Sequence, residues 1–236
     1  DLNTVSPLAL QRVGVVGGGT MGAGIVAACR DAGLPVVLIE RDQTALAAGL
    51  AQVQAVYDSA VKRGRLTTQQ AQDKMAGVTG ATDYTALADV DLVIEAVFED
   101  LAVKRDVFTA LTQACRADAV LATNTSYLDP RQIFAGLAHP QRFLGLHFFS
   151  PAQVMKLLEI VSTPDTDPAV LATGFALARA MNKIPVRSGI CDGFIGNRIL
   201  KTTRAQAERL LLAGATPADV DGAMRAFGFA MGPFEA

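Results

Sequence analysis

The sequence lacks several features that would place it in other classes of protein. None of its apolar runs approaches the roughly 18 residues needed to span a bilayer, so no membrane partner is expected. Its 21 basic and 23 acidic residues leave a net charge of -2, which argues against a nucleic-acid partner. Its 3 cysteines lack metal-type spacing, so we predict no metal and interpret them as buried thiols in a reducing compartment. We expect no signal peptide.

Both ends of the chain are unusual for a complete protein. The sequence starts at Asp1 rather than Met, and residues 1–11 have no clear period, so they are interpreted as a linker. It stops at Ala236 without a signal for a domain end, which predicts a truncated chain. The 236 residues, 50% of them hydrophobic, suit one large domain with a second small one.

The clearest pattern lies between residues 12 and 40. A short apolar run at 12–16 is followed by the glycine-rich stretch 17–22, a helical spacing, and a second apolar run that ends at Glu40. Strand, tight turn, helix, strand and acid in this order predict a dinucleotide site. The helix N-terminus offers N–H groups and a partial positive charge to the phosphates.

The glycines of this turn have separate roles. Gly17 lets the chain turn sharply, Gly19 lets a pyrophosphate approach the backbone, and Gly22 lets the helix pack close to the strand. Glu40 accepts hydrogen bonds from the ribose hydroxyls and repels a 2′-phosphate, so NAD is predicted, although Arg41 can accommodate such a phosphate. The predicted cofactor-binding residues of the turn are Gly17, Gly18, Gly19, Thr20, Met21 and Gly22.

Alternation of strand and helix continues through most of the chain. It predicts an α/β fold with a doubly wound, mostly parallel Rossmann sheet. Strands are predicted at 12–16, 36–39, 78–79, 91–97, 119–122, 143–149, 156–161 and 184–186. From 193 onwards only helical spacing remains. The predicted domains are the linker 1–11, an NAD-binding Rossmann domain at 12–189, and an incomplete all-helical C-terminal domain at 190–236.

Polar side chains follow two of the buried strands. Glu99 and Lys104 come after the fourth strand, at the sheet edge where ligands bind, but an acid in a first helical turn is often only a dipole partner. Ser126 follows the fifth strand, where it can bind substrate or cap the helix near residue 130.

A histidine and a glutamate interrupt the last apolar strands. His147 is either a buried structural residue or a general acid/base, since imidazole titrates near neutral pH. Glu159 is a carboxylate in an apolar strand, which is costly unless it is paired. A contact between the two would explain both residues.

Two further positions have open roles. Lys62 and Arg63 end a helix, where cations offset the helix dipole, but they can also contact a phosphorylated ligand tail. Asn197 lies early in a long helix despite its poor helix propensity, which indicates a role for its amide unless it only makes a local hydrogen bond.

Through these motifs the sequence resembles the 3-hydroxyacyl-CoA dehydrogenase family over residues 11–236. Ser150 stands where single-function members usually have Asn, which makes the chain more similar to the multifunctional enzymes of fatty-acid β-oxidation. The resemblance is carried by residues 17–22 with Glu40, 95–99 with Lys104, 124–126, 145–149, 151, 155–159, 193–198 and 231–234.

The resemblance implies oxidation of (S)-3-hydroxyacyl-CoA to 3-oxoacyl-CoA with NAD. His147 would be the general base, oriented by Glu159, that takes the 3-hydroxyl proton while hydride leaves C3. Ser126 and Asn197 would hold the substrate oxygen. The resemblance further implies that Glu99, Lys104 and Asn124 contact the cofactor, and that Lys62, Arg63 and Ser126 contact the coenzyme A substrate.

The resemblance also implies partners and a compartment. Members dimerise largely through a helical region that continues beyond Ala236, and multifunctional members carry an enoyl-CoA hydratase module upstream. A bacterial chain would be cytoplasmic, and a eukaryotic one peroxisomal or mitochondrial. Two competing functions are a dehydrogenase of free β-hydroxy acids and a non-enzymatic NAD binder related to a lens crystallin.

Overall fold

The computed structural model describes residues 4–235, so residues 1–3 of the predicted linker and the predicted truncation point Ala236 lie outside the described residues. The strands are β1 (Val13–Val16), β2 (Val36–Ile39), β3 (Val78–Ala81), β4 (Leu92–Glu95), β5 (Val120–Thr123), β6 (Phe143–Phe148), β7 (Leu157–Val161) and β8 (Ile184–Ser188). The helices are α1 (Thr20–Asp31), α2 (Gln43–Lys62), α3 (Thr68–Ala76), α4 (Leu101–Ala114), α5 (Pro130–Phe134), α6 (Pro168–Ala180), α7 (Gly196–Leu212) and α8 (Pro217–Phe227).

All of these strands form one sheet in the order β3-β2-β1-β4-β5-β6-β7-β8. Every neighbouring pair is parallel except β6 and β7. The predicted doubly wound, mostly parallel sheet is therefore confirmed. The strand order reverses between β1 and β4, and in open α/β sheets ligands bind at the carboxyl ends of the strands beside such a point.

The central strands are apolar because the sheet is covered on both faces. Every residue of β1, β2, β4, β5 and β6 is buried. Side chains alternate between two cores, as the strand period of two requires. One core lies between the sheet and helices α1, α2 and α6, and the other lies between the sheet and helices α4 and α5.

Several predicted element ends differ from the structure, and two of these differences have a clear local cause. The strand predicted at 91–97 ends at Glu95, because the Glu95 side chain accepts a hydrogen bond from the Val97 amide. The long helix begins at Gly196 rather than at 193, because Gly193 and Phe194 have φ angles of 69° and 51°, which no right-handed helix accepts.

The segment predicted as a linker makes specific backbone contacts where it is described. The Leu8 amide donates to the Thr173 hydroxyl, and the amides of Gln11 and Arg12 donate to one oxygen of Asp91. No helix within residues 4–235 combines the length and apolar character needed to cross a membrane.

Backbone contacts divide the chain into two compact units, and the boundary along the sequence falls between Cys191 and Asp192. The second unit contains α7 and α8. Thr216 caps α8 in a reciprocal arrangement with Asp219. A side chain at Gly232 would collide with the buried Asp221, whose carboxylate accepts a hydrogen bond from the Phe234 amide.

Candidate active site

The glycine turn joins β1 to α1 at the carboxyl edge of the sheet. Gly17 has a φ of 96°, and a Cβ there would lie 2.7 Å from the Ala96 carbonyl oxygen. A Cβ at Gly22 would lie 1.7 Å from the Gly17 carbonyl oxygen. Both positions therefore require glycine, as predicted, and the turn lies directly beside the segment that follows β4.

Glu40 lies where β2 ends and faces the same turn. One of its oxygens accepts a hydrogen bond from the Gly18 amide at 2.6 Å, and the other accepts from the Arg41 amide at 3.1 Å. Arg41 itself pairs with Asp42, the residue that caps α2. The carboxylate is thus held against the turn at the position where a ribose would meet it.

The residues of the turn fit a dinucleotide. A Cβ built on Gly19 meets no atom within 4 Å, so the backbone at this point is open to a ligand. The first turn of α1, Thr20 to Gly22, supplies N–H groups without helical partners, and this turn carries no acidic side chain that would repel a phosphate. The part of the chain that the structure describes contains no cluster of His, Cys, Asp or Glu able to hold a metal ion.

His147 and Glu159 are in direct contact, as predicted. They face each other in the antiparallel register of β6 and β7, with 2.8 Å between His147 Nδ1 and Glu159 Oε2. Glu159 is fully buried and His147 is 3% exposed. Because Nδ1 is directed at the carboxylate, proton exchange with a substrate would use Nε2. His147 lies near the carboxyl end of β6, at the same edge as the glycine turn.

Glu99 does not serve α4 as a dipole partner. Asp100 caps that helix by accepting from the Val103 amide. One oxygen of Glu99 instead accepts from the Thr125 hydroxyl at 2.6 Å and from the Ser126 and Tyr127 amides at 2.7 and 3.1 Å. Glu99 therefore holds the turn that follows β5.

The environment of Glu99 favours its charged form. Burial alone would raise the pKa of Glu99, but the Thr125 hydroxyl, the Lys104 charge and the two backbone amides outweigh it and lower the pKa below its usual value. Glu99 is therefore a fixed negative charge at the sheet edge at neutral pH.

Lys104 is almost fully buried. Its side chain is 1% exposed, and its ammonium lies 2.6 Å from Glu95 Oε1 and 3.3 Å from Glu99 Oε2. Glu95 is fully buried and also accepts from the Thr123 hydroxyl at 2.7 Å. Sequence reasoning missed Glu95 and Thr123. The available signal was a carboxylate that ends a buried strand nine residues before a lysine.

Ser126 does not cap the following helix, because Asp129 caps α5. Its position is fixed by the bond from its amide to Glu99. Asn124 is 8% exposed, and its side-chain oxygen accepts from the Phe148 amide at 2.9 Å. Asn124 therefore connects the turn after β5 to the end of the strand that carries His147.

Lys62, the last residue of α2, and Arg63, which follows it, line different cavities. Arg63 lines a cavity of about 450 Å³ together with Arg65, Lys74 and the turn residues Pro151, Gln153 and Val154. A second hollow shares Pro151 and Gln153 with it and extends to Thr20 at the start of α1. Lys62 instead lines a separate hollow beside α3.

Asn197 and the three cysteines are the predicted residues that remain. Asn197 is the second residue of α7 in the other compact unit, and its role stays a prediction. Cys29 and Cys115 are buried thiols, as interpreted, and burial raises the pKa of Cys29 to about 12 and that of Cys115 to about 11. The same interpretation was wrong for Cys191, which is partly exposed.

A doubly wound sheet with this glycine turn defines the class of dinucleotide-binding proteins. Residues 12–191 match the model of the 3-hydroxyacyl-CoA dehydrogenase NAD binding domain, and residues 193–236 match that of the 3-hydroxyacyl-CoA dehydrogenase C-terminal domain. The chain therefore belongs to the 3-hydroxyacyl-CoA dehydrogenase family.

Individual proteins support this assignment. The chain is 40% identical over 98% of its length to the peroxisomal bifunctional enzyme of Cavia porcellus, of which it covers 32%. It is 37% identical over 97% of its length to the peroxisomal fatty acid beta-oxidation multifunctional protein MFP2 of Arabidopsis thaliana, of which it covers 31%. The chain thus spans about a third of the length of these curated relatives.

Among solved structures, the 3-hydroxybutyryl-CoA dehydrogenase of Escherichia coli K12 superposes with a TM-score of 0.91. It is 40% identical, and the match covers 97% of this chain and 49% of that one.

Proposed function

We propose that the chain catalyses the NAD-dependent oxidation of (S)-3-hydroxyacyl-CoA to 3-oxoacyl-CoA in fatty-acid β-oxidation. The observation that carries the proposal is the contact of 2.8 Å between His147 Nδ1 and Glu159 Oε2 at the sheet edge that carries the glycine turn. Membership of the family and the named activity of the Escherichia coli relative support the same reaction.

The chain's own residues have the following roles in this proposal. Glu159 holds the tautomer of His147 that has its proton on Nδ1, so Nε2 accepts the proton of the substrate 3-hydroxyl. The carboxylate then stabilises the imidazolium that results. The Ser126 hydroxyl and the Asn197 amide hold the substrate oxygen while its charge changes.

The cofactor would be held by residues of the first unit. The turn 17–22 and the N-terminus of α1 face its pyrophosphate, and Glu40 binds a ribose. Glu99 and Asn124 lie at the carboxyl ends of β4 and β5, where the nicotinamide side is expected. NAD, when bound, supplies the acceptor for the hydrogen and the two electrons that leave C3 of the substrate.

The proposal has a direct test in the reverse direction. Oxidation of NADH should be rapid with acetoacetyl-CoA and with longer 3-oxoacyl-CoA esters, and at least about 10²-fold slower with free acetoacetate, because the free acid makes no coenzyme A contacts. Faster turnover of the free acid would support the β-hydroxy acid dehydrogenase instead. Tight NADH binding without turnover of any of these substrates would support the non-enzymatic binder.

The groove along α2 suits the phosphates of coenzyme A. Arg63, Arg65 and Lys74 surround the cavity of about 450 Å³, and its continuation reaches Thr20 beside the cofactor turn. Asp31 neutralises part of this charge, since its carboxylate lies 2.6 Å from the Lys74 ammonium.

A pair of variants tests this groove. Arg63→Ala should raise KM for acetoacetyl-CoA about tenfold with little change in kcat, because a charge-assisted contact to phosphate is lost. Lys62→Ala is the matched control at a residue that lines a different cavity, and it should change KM less than about twofold. An equal effect of both variants would favour a diffuse attraction over a specific contact.

The domain limits and partners are part of the same proposal. We assign residues 12–189 to the NAD-binding domain and 190–236 to the start of the helical domain, which the division of backbone contacts after Cys191 supports. Homodimerisation through a C-terminal region and fusion to an upstream hydratase module stay predictions. So does the compartment, although the two relatives are named as peroxisomal proteins.

A further inference from the structure

We propose that Glu95 and Lys104 form a buried pair that positions Glu99 and, through it, the turn that carries Ser126. Lys104 would then act on the cofactor side of the site through Glu99. The inference rests on the proposed function for its activity measurement, while its other two measurements do not depend on catalysis.

The first step is the rigidity of Glu95. This carboxylate is fully buried, and both of its oxygens are engaged. Oε1 accepts from Lys104 Nζ at 2.6 Å and from the Val97 amide at 2.8 Å, and Oε2 accepts from the Thr123 hydroxyl at 2.7 Å. Contacts from α4, from the strand's own continuation and from β5 therefore fix one carboxylate.

The second step is the bridging position of Lys104. Its ammonium lies between two carboxylates, 2.6 Å from Glu95 and 3.3 Å from Glu99, with only 1% of its side chain exposed. A buried ammonium cannot turn into solvent, and it is strongly unfavourable without a paired charge. The place of Glu95 therefore determines where Lys104 holds the second acid.

The third step leads to the substrate side. Glu99 uses its other oxygen to hold the Thr125 hydroxyl and the amides of Ser126 and Tyr127. The Thr125 hydroxyl in turn accepts from the Leu128 amide. The chain of contacts from Glu95 thus ends in the turn whose serine is proposed to hold the substrate oxygen.

The two carboxylates beside Lys104 have different roles because they differ in exposure. Glu95 is enclosed by protein, whereas the Glu99 side chain is 36% exposed at the carboxyl edge of the sheet. Only Glu99 has surface to present to a ligand. Glu95 joins Lys104 directly to the end of β4, in addition to the contact of 3.5 Å between the Lys104 ammonium and the Val97 carbonyl oxygen.

The test begins with Glu95→Gln in the purified protein. Hydrogen exchange of the Ser126 and Tyr127 amides, measured without ligand, should accelerate at least about tenfold, because Glu99 no longer holds the turn rigidly. The Kd for NADH should rise about tenfold, and kcat with acetoacetyl-CoA should fall about 10²-fold, which is the typical result of a misplaced contact group. Unchanged exchange and unchanged NADH affinity would overturn the proposal.

A double variant excludes a role in folding alone. Glu95→Gln leaves Lys104 short of a charge partner and should lower Tm by about 10 °C. Glu95→Gln combined with Lys104→Met removes both buried charges and should recover most of that loss. In the double variant, hydrogen exchange of the Ser126 and Tyr127 amides should stay fast and the Kd for NADH should stay high. Their recovery together with Tm would show that the pair only stabilises the fold, and would overturn the proposal.

Asp91→Asn is the matched control at the opposite end of the same strand. The Asp91 carboxylate accepts from the Gln11 and Arg12 amides and pairs with Arg116 at 3.0 Å. Its loss should lower Tm without changing exchange at Ser126 or the affinity for NADH. A wild-type protein that binds NADH but turns over no acyl-CoA would contradict the proposed function, and exchange and NADH affinity would still decide the role of Glu95.

Discussion

Two fully buried carboxylates of the same sheet, Glu159 and Glu95, have bases of different kinds as partners. Glu159 lies 2.8 Å from the imidazole of His147, across an antiparallel pair of strands. Glu95 lies 2.6 Å from the ammonium of Lys104, on the helix that follows its own strand. Both acids avoid the cost of an unpaired buried charge, but the two pairs serve different chemistry.

The partner decides what each pair can do. An imidazole gains and loses a proton within the physiological range, so a carboxylate beside it can support proton transfer. The ammonium of Lys104 lies between two carboxylates and is almost fully buried, so this pair is suited to act as a fixed electrostatic contact. The first pair is therefore suited to take part in a reaction, and the second to hold other groups in place.

The largest effect should come from removal of the imidazole. His147→Ala should lower turnover of acetoacetyl-CoA by about 10² to 10⁴, the usual contribution of a general acid/base. The Kd for NADH should stay within about twofold, because the glycine turn and Glu40 are untouched. Stopped-flow turnover and NADH fluorescence titration measure the two quantities separately.

A second variant distinguishes a loss of catalysis from a loss of folded structure. His147→Ala removes the imidazole contact of the buried Glu159, which can destabilise the protein. His147→Gln keeps a polar group beside the carboxylate and should show the same loss of turnover with a smaller loss of Tm. Turnover near the wild-type rate in either variant would refute the assignment of His147 as the base.

The same comparison shows what could be read from the sequence. The sheet followed from apolar strands separated by helical spacing, and the glycine turn followed from its position between strand and helix. The His147–Glu159 contact was predicted because each residue is anomalous in an apolar strand, and pairing resolves both anomalies. Cross-strand neighbours are determined largely by the strand period, which the sequence carries directly.

Glu95 was not predicted because its partners depend on packing between elements. Its bond to Lys104 requires the rotation of α4 over the sheet and the reach of a long side chain, and the spacing of nine residues between the acid and the lysine determines neither. Lys62 and Arg63 line different cavities for a similar reason. Successive residues point about 100° apart around a helix, so adjacent cations at its end need not face the same groove.

The smallest predicted effect concerns Glu99, the acid that Lys104 holds. The pKa of Glu99 is below its usual 4.5, since hydrogen bonds and the Lys104 charge outweigh the effect of burial. A lowered carboxylate pKa stabilises the folded state at pH values above the unfolded pKa, and this contribution is lost as the pH falls through the folded value. Glu99→Gln should therefore cost about 1 kcal/mol at pH 7, a modest value because the side chain is 36% exposed.

Urea unfolding of both proteins from pH 7 to pH 3 measures this dependence. The difference in unfolding free energy between wild type and Glu99→Gln should shrink as the pH falls below about 4.5. Glu208→Gln, at an exposed position of α7, is the control and should change stability by less than about 0.5 kcal/mol throughout. A difference that grew towards acid pH would mean that the charged form of Glu99 is disfavoured in the fold. In the dissolved protein, the hydrogen bonds from Thr125, Ser126 and Tyr127 would then not hold the Glu99 carboxylate in place. Lys104 would have no second carboxylate in a fixed position at the sheet edge.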